Sequence, residues 1–192
     1  MVAVLLLSCG LRASVDPYDV VVVEDPTNAT VLFRTTVALP YATDLRLLDD
    51  GERVIYQQTV AAGAFVNLRL RRNGIPVGNY TLVFTDEKGK TECPFAIVRN
   101  ALAYDFREAR QTIYPRVDLR DERLLVVNYD NESGKRVNVR LTNEAGREVF
   151  SDKVAGESIR RSYQLNELAA GTYTVTVSST DVKNYTAAIA LY

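Results

Sequence analysis

Neither histidine nor tryptophan occurs anywhere in the 192 residues. Without an imidazole, Ser-His-Asp and Cys-His relays are excluded, together with the commonest metal ligand. Without an indole, a sugar-stacking platform would have to rest on tyrosine, which weakens a carbohydrate-binding reading. Only two cysteines are present, so no disulfide framework is available. Acidic and basic residues nearly cancel, 24 against 23, leaving a formal net charge of −1. The electrostatic footprint of a nucleic-acid binder is therefore missing. No apolar run is long enough to span a bilayer. What remains is an ordinary globular composition, 47% hydrophobic and 24% charged. The length exceeds that of a usual single domain, and each half can bury its own core, so two domains are expected.

The first ten residues, Met1-Val-Ala-Val-Leu-Leu-Leu-Ser-Cys9-Gly10, form an apolar run that ends in small residues, as at a secretory cleavage site. Leu6-Leu7-Ser8-Cys9 resembles the lipobox of bacterial lipoproteins. That resemblance implies cleavage before Cys9 and a thioether-linked lipid on its thiol. The alternative is that Val2 to Leu7 is an edge or core strand, since no Lys or Arg precedes the run and a short apolar segment reads either way. Cys93 shares the alternation Thr91, Cys93, Phe95, Ile97, which places it on an apolar strand face as a buried, inert thiol.

Two segments overlay one another. Leu45-Arg-Leu47, Gly51-Glu-Arg-Val54, Gly78-Asn-Tyr80-Thr-Leu82 and Phe95-Ala-Ile97 match Val139-Arg-Leu141, Gly146-Arg-Glu-Val149, Gly171-Thr-Tyr173-Thr-Val175 and Ala187-Ala-Ile189. A period of about ninety residues indicates two domains and not solenoid units. The dominant side-chain period within each copy is two. Tyr80, Leu82 and Phe84 alternate with polar residues, as do Tyr173, Val175 and Val177, and Val137, Val139 and Leu141. Val66, Leu68 and Leu70 are expected inside with Asn67, Arg69 and Arg71 outside, and Ile159, Tyr163 and Leu165 take the same role later. Turn residues at Asp49-Asp50-Gly51, Arg72-Asn73-Gly74, Glu87-Lys88-Gly89, Asn131-Glu-Ser-Gly134 and Glu144-Ala-Gly146 separate the strands. The expected fold is all-β: two tandem immunoglobulin- or fibronectin III-like β-sandwiches of about seven strands each. The expected boundaries are an export signal over 1–10, a sandwich over 11–99, a semi-rigid linker over 100–115 and a sandwich over 116–192.

Val137 to Leu191 carries Val-Arg-Leu-Thr-Asn-Glu-Ala-Gly146-Arg-Glu-Val-Phe and Leu168-Ala-Ala-Gly171-Thr-Tyr173-Thr-Val. On these residues the second half resembles the immunoglobulin-like C-terminal sorting domains of the Por, or type IX, secretion system. The resemblance implies a bacterial exported protein whose last domain is read by secretion machinery.

Within the sandwich reading, the Gly-x-Tyr pairs Gly78 to Tyr80 and Gly171 to Tyr173 look like tyrosine corners, a structural device. Arg69, Arg71 and Arg72, with Arg160 and Arg161 in the second copy, could grip carboxylates or phosphates, although outward Arg on strands also keeps edges soluble. The carboxylates Asp49-Asp50, Asp86-Glu87, Asp121-Glu122 and Asp130 with Glu132 fall in turns, and none has calcium-loop spacing. A histidine-free carboxylate hydrolase would need two acids converging in a cleft, which no spacing here supplies. The expectation is a non-catalytic envelope or surface protein without metal or cofactor. Its loops or edges bind a protein or glycan, and it meets a membrane only through lipidated Cys9, or else is secreted. The alternative is a structural or assembly spacer, or a sorting module with no ligand of its own.

Overall fold

The computed structural model describes residues 18–25, 27–71, 74–99, 101–104 and 108–192, and among them the ordered elements are almost entirely β-strands. The leader 1–10, with Cys9, lies outside the described residues, as does Arg72. The chain divides into two compact units, one ending at Gln111 and the other beginning at Thr112.

The first unit holds β1 (Val20–Asp25), β2 (Thr30–Thr35), β3 (Thr43–Asp49), β4 (Val54–Val60), β5 (Asn67–Arg71), β6 (Gly78–Thr85), β7 (Gly89–Val98) and β8 (Ala101–Tyr104). One sheet has the order β1-β2-β5, and the other runs β4-β3-β6-β7-β8, with β9 (Arg110–Ile113) also pairing with β7. The observed alternation follows the sequence period. Val66, Leu68 and Leu70 are buried while Asn67, Arg69 and Arg71 are exposed. Thr91, Cys93, Phe95 and Ile97 are all buried, with Cys93 only 1% exposed. The inner faces of the two sheets share one apolar cluster that includes Val31, Phe33 and Leu68 from one side and Leu45, Leu82 and Phe84 from the other. The Phe33 and Phe95 rings meet at 4.9 Å across it.

The second unit holds β10 (Arg116–Arg120), β11 (Leu124–Asp130), β12 (Arg136–Asn143), β13 (Glu148–Ala155), β14 (Ser158–Gln164), β15 (Gly171–Ser178) and β16 (Tyr185–Leu191). Its sheets are β10-β11-β14 and β13-β12-β15-β16, all antiparallel. Val137, Val139, Leu141, Val175 and Val177 are fully enclosed in its core. The strand order in each unit is that of a fibronectin III-like sandwich, three strands against four, with the first unit adding β8 and β9 beyond β7.

Three details differ from the sequence reading. The segment 100–115, expected as a linker, contains β8 and β9, which continue the sheet of the first unit. The overlay that set Ile97 against Ile189 is displaced by two residues. Opposite the two Gly-x-Tyr tyrosines the ladder places Phe95 against Tyr80 and Ile189 against Tyr173. A two-residue slip keeps every side chain on its own face, so a period-two pattern cannot detect it. Finally, Arg160 and Arg161, read together as able to grip an anion, point to opposite faces, because consecutive strand residues alternate. Arg160 lies 3.5 Å from the Asn128 side chain, whereas Arg161 lies 3.8 Å from Asp152.

The tyrosine corners are present in both units. Tyr80 donates its phenol proton to the Pro76 carbonyl at 2.7 Å, and Tyr173 donates to the Ala169 carbonyl at 2.9 Å. The second unit adds a latch between sheets, where Tyr163 on β14 donates to Asp152 on β13 at 2.9 Å. Burial first, and then the hydrogen bond to the carboxylate, raise the Tyr163 phenol well above its ordinary range.

Replacing Tyr173 with Phe deletes the corner bond and leaves the Ala169 carbonyl without its donor. The expected loss is about 0.5–1.5 kcal/mol of stability with the sheets intact, read by urea unfolding and circular dichroism. Because the folded state holds Tyr163 protonated, its contribution is complete below the unfolded phenol value of about 10 and declines as the pH rises above it. Urea midpoints should therefore fall above about pH 10, and fall less steeply in Tyr163→Phe.

Candidate functional site

The turns that join strands are built by carboxylates acting on backbone. Asp49 accepts from the amides of Gly51 at 3.0 Å and Arg53 at 2.9 Å, and from the Arg53 guanidinium at 2.8 Å. The Arg53 bonds are the main reason its carboxyl is held below the usual range. Asp86 accepts from the amides of Lys88 and Gly89 at 2.7 and 2.9 Å. Asp25 receives Thr27 and Asn28 in the same way, and the Asn28 side chain is the largest cause of its lowered pKa. These acids are committed to loop geometry. Among the described residues no cluster of His, Cys, Asp or Glu could hold a metal ion.

One end of the first unit has a different character. The loop 36–42 between β2 and β3 and the loop 61–66 between β4 and β5 are bonded to one another. The Leu39 amide donates to Ala64 and the Gly63 amide donates back to Leu39, both at 2.8 Å. Gly63 adopts φ +79°, a left-handed conformation that suits glycine. Leu39 and Val66 anchor these loops in the core. On this framework Phe65 is 53% exposed and Val37 44% exposed. Alongside, Lys88 in the loop 86–88 lies 5.2 Å from the centre of the Tyr41 ring, and Asp86 in the same loop accepts the Tyr18 phenol at 2.7 Å. Phe65 and Val37 are both large apolar side chains held in water on loops fixed by the scaffold.

The corresponding end of the second unit is polar. Asn131 is fully buried, and its amide nitrogen donates to Lys135 at 2.8 Å and Gly156 at 2.7 Å, clamping the loop after β11 to the loop after β13. The residues exposed there are Glu132, Lys135, Glu157, Asp181, Lys183 and Asn184. Asn131 was legible as a turn residue, but its clamping role depends on a chain segment 25 residues away.

A groove of about 670 Å³ lies in the first unit, lined by Thr81, Glu92, Pro94, Glu108, Ala109 and Arg110. It brings together two acids that no sequence cluster had singled out. Glu92 is engaged by Lys90 at 3.0 Å, and the groove is partly open to solvent. Arg69 and Arg71 project outward from β5, an edge of the smaller sheet.

Among solved structures, the chain is similar to a biofilm-associated protein BSP domain, with 13% identity and a TM-score of 0.32 over 86% of this chain. It spans 27% of that chain. It is also similar to the human OSCAR ligand-binding domain, with 10% identity and a TM-score of 0.25 over 85% of this chain and 90% of that one. At these values neither likeness bears on function. No curated protein matches the chain. Residues 122–190, nearly the whole of the second unit, match the secretion system C-terminal sorting domain family, and the second sandwich is in this sense a sorting-domain-like module.

Proposed function

We propose that the chain is an exported, non-catalytic binding module of the bacterial envelope, in which the second sandwich carries the export address and the first meets the partner. The observation that carries the proposal is the division of features. The sorting-domain match spans 122–190 and leaves the first unit outside it, while the exposed Phe65 and Val37 sit on loops of that first unit. The partner is a protein or glycan of the envelope. Apolar and aromatic side chains serve either one, because both bury flat apolar surface against rings. In this reading Cys9 is lipidated and retains the chain at the membrane.

The uncharged edge strand β4 favours a second reading, a structural or assembly role without a heterologous ligand. Its residues Val54 to Val60 include no charge and no proline.

Export is tested by expressing the full chain, with a complete leader, in a bacterium that has type IX machinery and in a strain lacking it. The chain is expected on the surface or in the medium only when the machinery is present, with Cys9→Ala moving it from membrane to medium. Equal distribution in both strains sinks the export reading. For the binding surface, Phe65→Ser with Val37→Ser is expected to weaken retention of the full chain on envelope fractions about tenfold or more without shifting its melting midpoint. Unchanged retention would remove these loops from the site.

A further inference from the structure

We propose that β4 is a self-pairing edge, on which a second copy of this chain adds its own β4 antiparallel to form a closed dimer. The inference uses the first unit alone and stands apart from the export reading.

Strand β4 pairs with β3 on one side and, among the described residues, ends the larger sheet on the other. A free strand edge presents a row of backbone donors and acceptors, and folded proteins ordinarily guard it with charge, proline, shortness or a bulge. Beyond a bulge near its start, β4 has none of these, whereas most other edges here carry charge or are short. Strand β5 carries Arg69 and Arg71, β14 carries Arg160 and Arg161, and β8 is only four residues long. The counterpart of β4 in the second unit, β13, carries Glu148, Asp152 and Lys153. The contrast is sharpest at one position. Asp152 lies opposite Val139 on the inner row of β13, where Gln58 lies opposite Leu45 on β4. A charge that guards the second unit is replaced by a neutral amide in the first.

The segment Val-Ile-Tyr-Gln-Gln-Thr-Val is rich in β-branched and aromatic residues and has no net charge, the composition of a strand that pairs readily with itself. A β-bulge between Leu47 and Leu48 leaves Ile55 as the extra residue on β4, and β13 has the same irregularity between Leu141 and Thr142. A two-fold register centred on Gln58 stays clear of the bulge. In it Tyr56 meets Val60 of the second copy, Gln57 meets Thr59, and Gln58 meets its own counterpart. Aromatic-to-β-branched pairs favour pairing, and no like charges are brought opposite one another. Strand β16 is also uncharged, but its outward row of Thr186, Ala188 and Ala190 offers little cross-strand contact.

The occupant follows from closure. When two β4 strands pair isologously, each consumes the other's free edge, so growth stops at two. A joint of this length is small against a standard interface of about 1,600 Å², so the dimer is reversible and concentration-dependent.

The test is sedimentation velocity of the full chain over a concentration series, with Gln57→Lys/Thr59→Lys as the variant. Both positions are exposed, and the proposed register sets lysine against lysine twice. The parent is expected to pass from monomer to dimer and no further. The variant should dimerise about tenfold more weakly and keep the parent's circular dichroism spectrum, while Arg69→Ser/Arg71→Ser on β5 should behave like the parent. A parent that remains monomeric, one that grows beyond two copies, or a lysine variant that dimerises as the parent does overturns the proposal.

Discussion

Burial of one row of side chains per strand between two sheets is the constraint from which the other features of each unit follow. In β3 and β6 that row is Leu45, Leu47, Leu82 and Phe84, all at most 1% exposed, and each such side chain contributes about 1.5–3 kcal/mol relative to exposure. Because side chains alternate, the same strands must present their other row to water. That outer row takes the ion pairs, such as Arg46 with Asp44 at 2.6 Å, and it leaves function to the ends and edges of the sandwich.

The ends are made by backbone bonding, and the two units use it differently. In the second unit Asn131 is enclosed to hold its loops together, which spends a buried amide on rigidity and leaves charge outside. In the first unit the loops hold one another through Leu39, Gly63 and Ala64, and they leave Phe65 in water. One scaffold thus yields a polar end in one unit and, in the other, an end that sets exposed Phe65 and Val37 beside Glu87 and Lys88. Both cores are closed by a tyrosine corner, but the first also encloses Phe33, Phe84 and Phe95 where the second is mainly aliphatic.

The edges differ in the same way. On the side where β13 and β14 approach, Asp152 serves both as an inward charge and as acceptor for Tyr163, so one carboxylate guards the edge and ties the sheets. In the first unit Tyr56 donates to Gln58 on its own strand, at 2.6 Å, and the phenol-to-carboxylate bond between the sheets lies elsewhere, from Tyr18 to Asp86. Without a counterpart to Asp152, β4 is neutral.

The amino-acid sequence by itself determined the all-β class, the inward and outward row of nearly every strand, the corner tyrosines and the turns at Asp49 and Asp86. Each of these depends on residues within a few positions of one another. Tertiary structure alone decided matters that depend on distant partners. Phe95 stands opposite Tyr80 because of ladder register, to which an alternating pattern is blind at steps of two. The segment 101–104 is a strand because β7 offers it an edge. Glu92 and Glu108 share a groove through sheet geometry. Whether Phe65 and β4 stay open to water was likewise settled by which chain segments fail to cover them. Local alternation encodes what a strand turns inward, whereas its uncovered remainder is set by the whole fold.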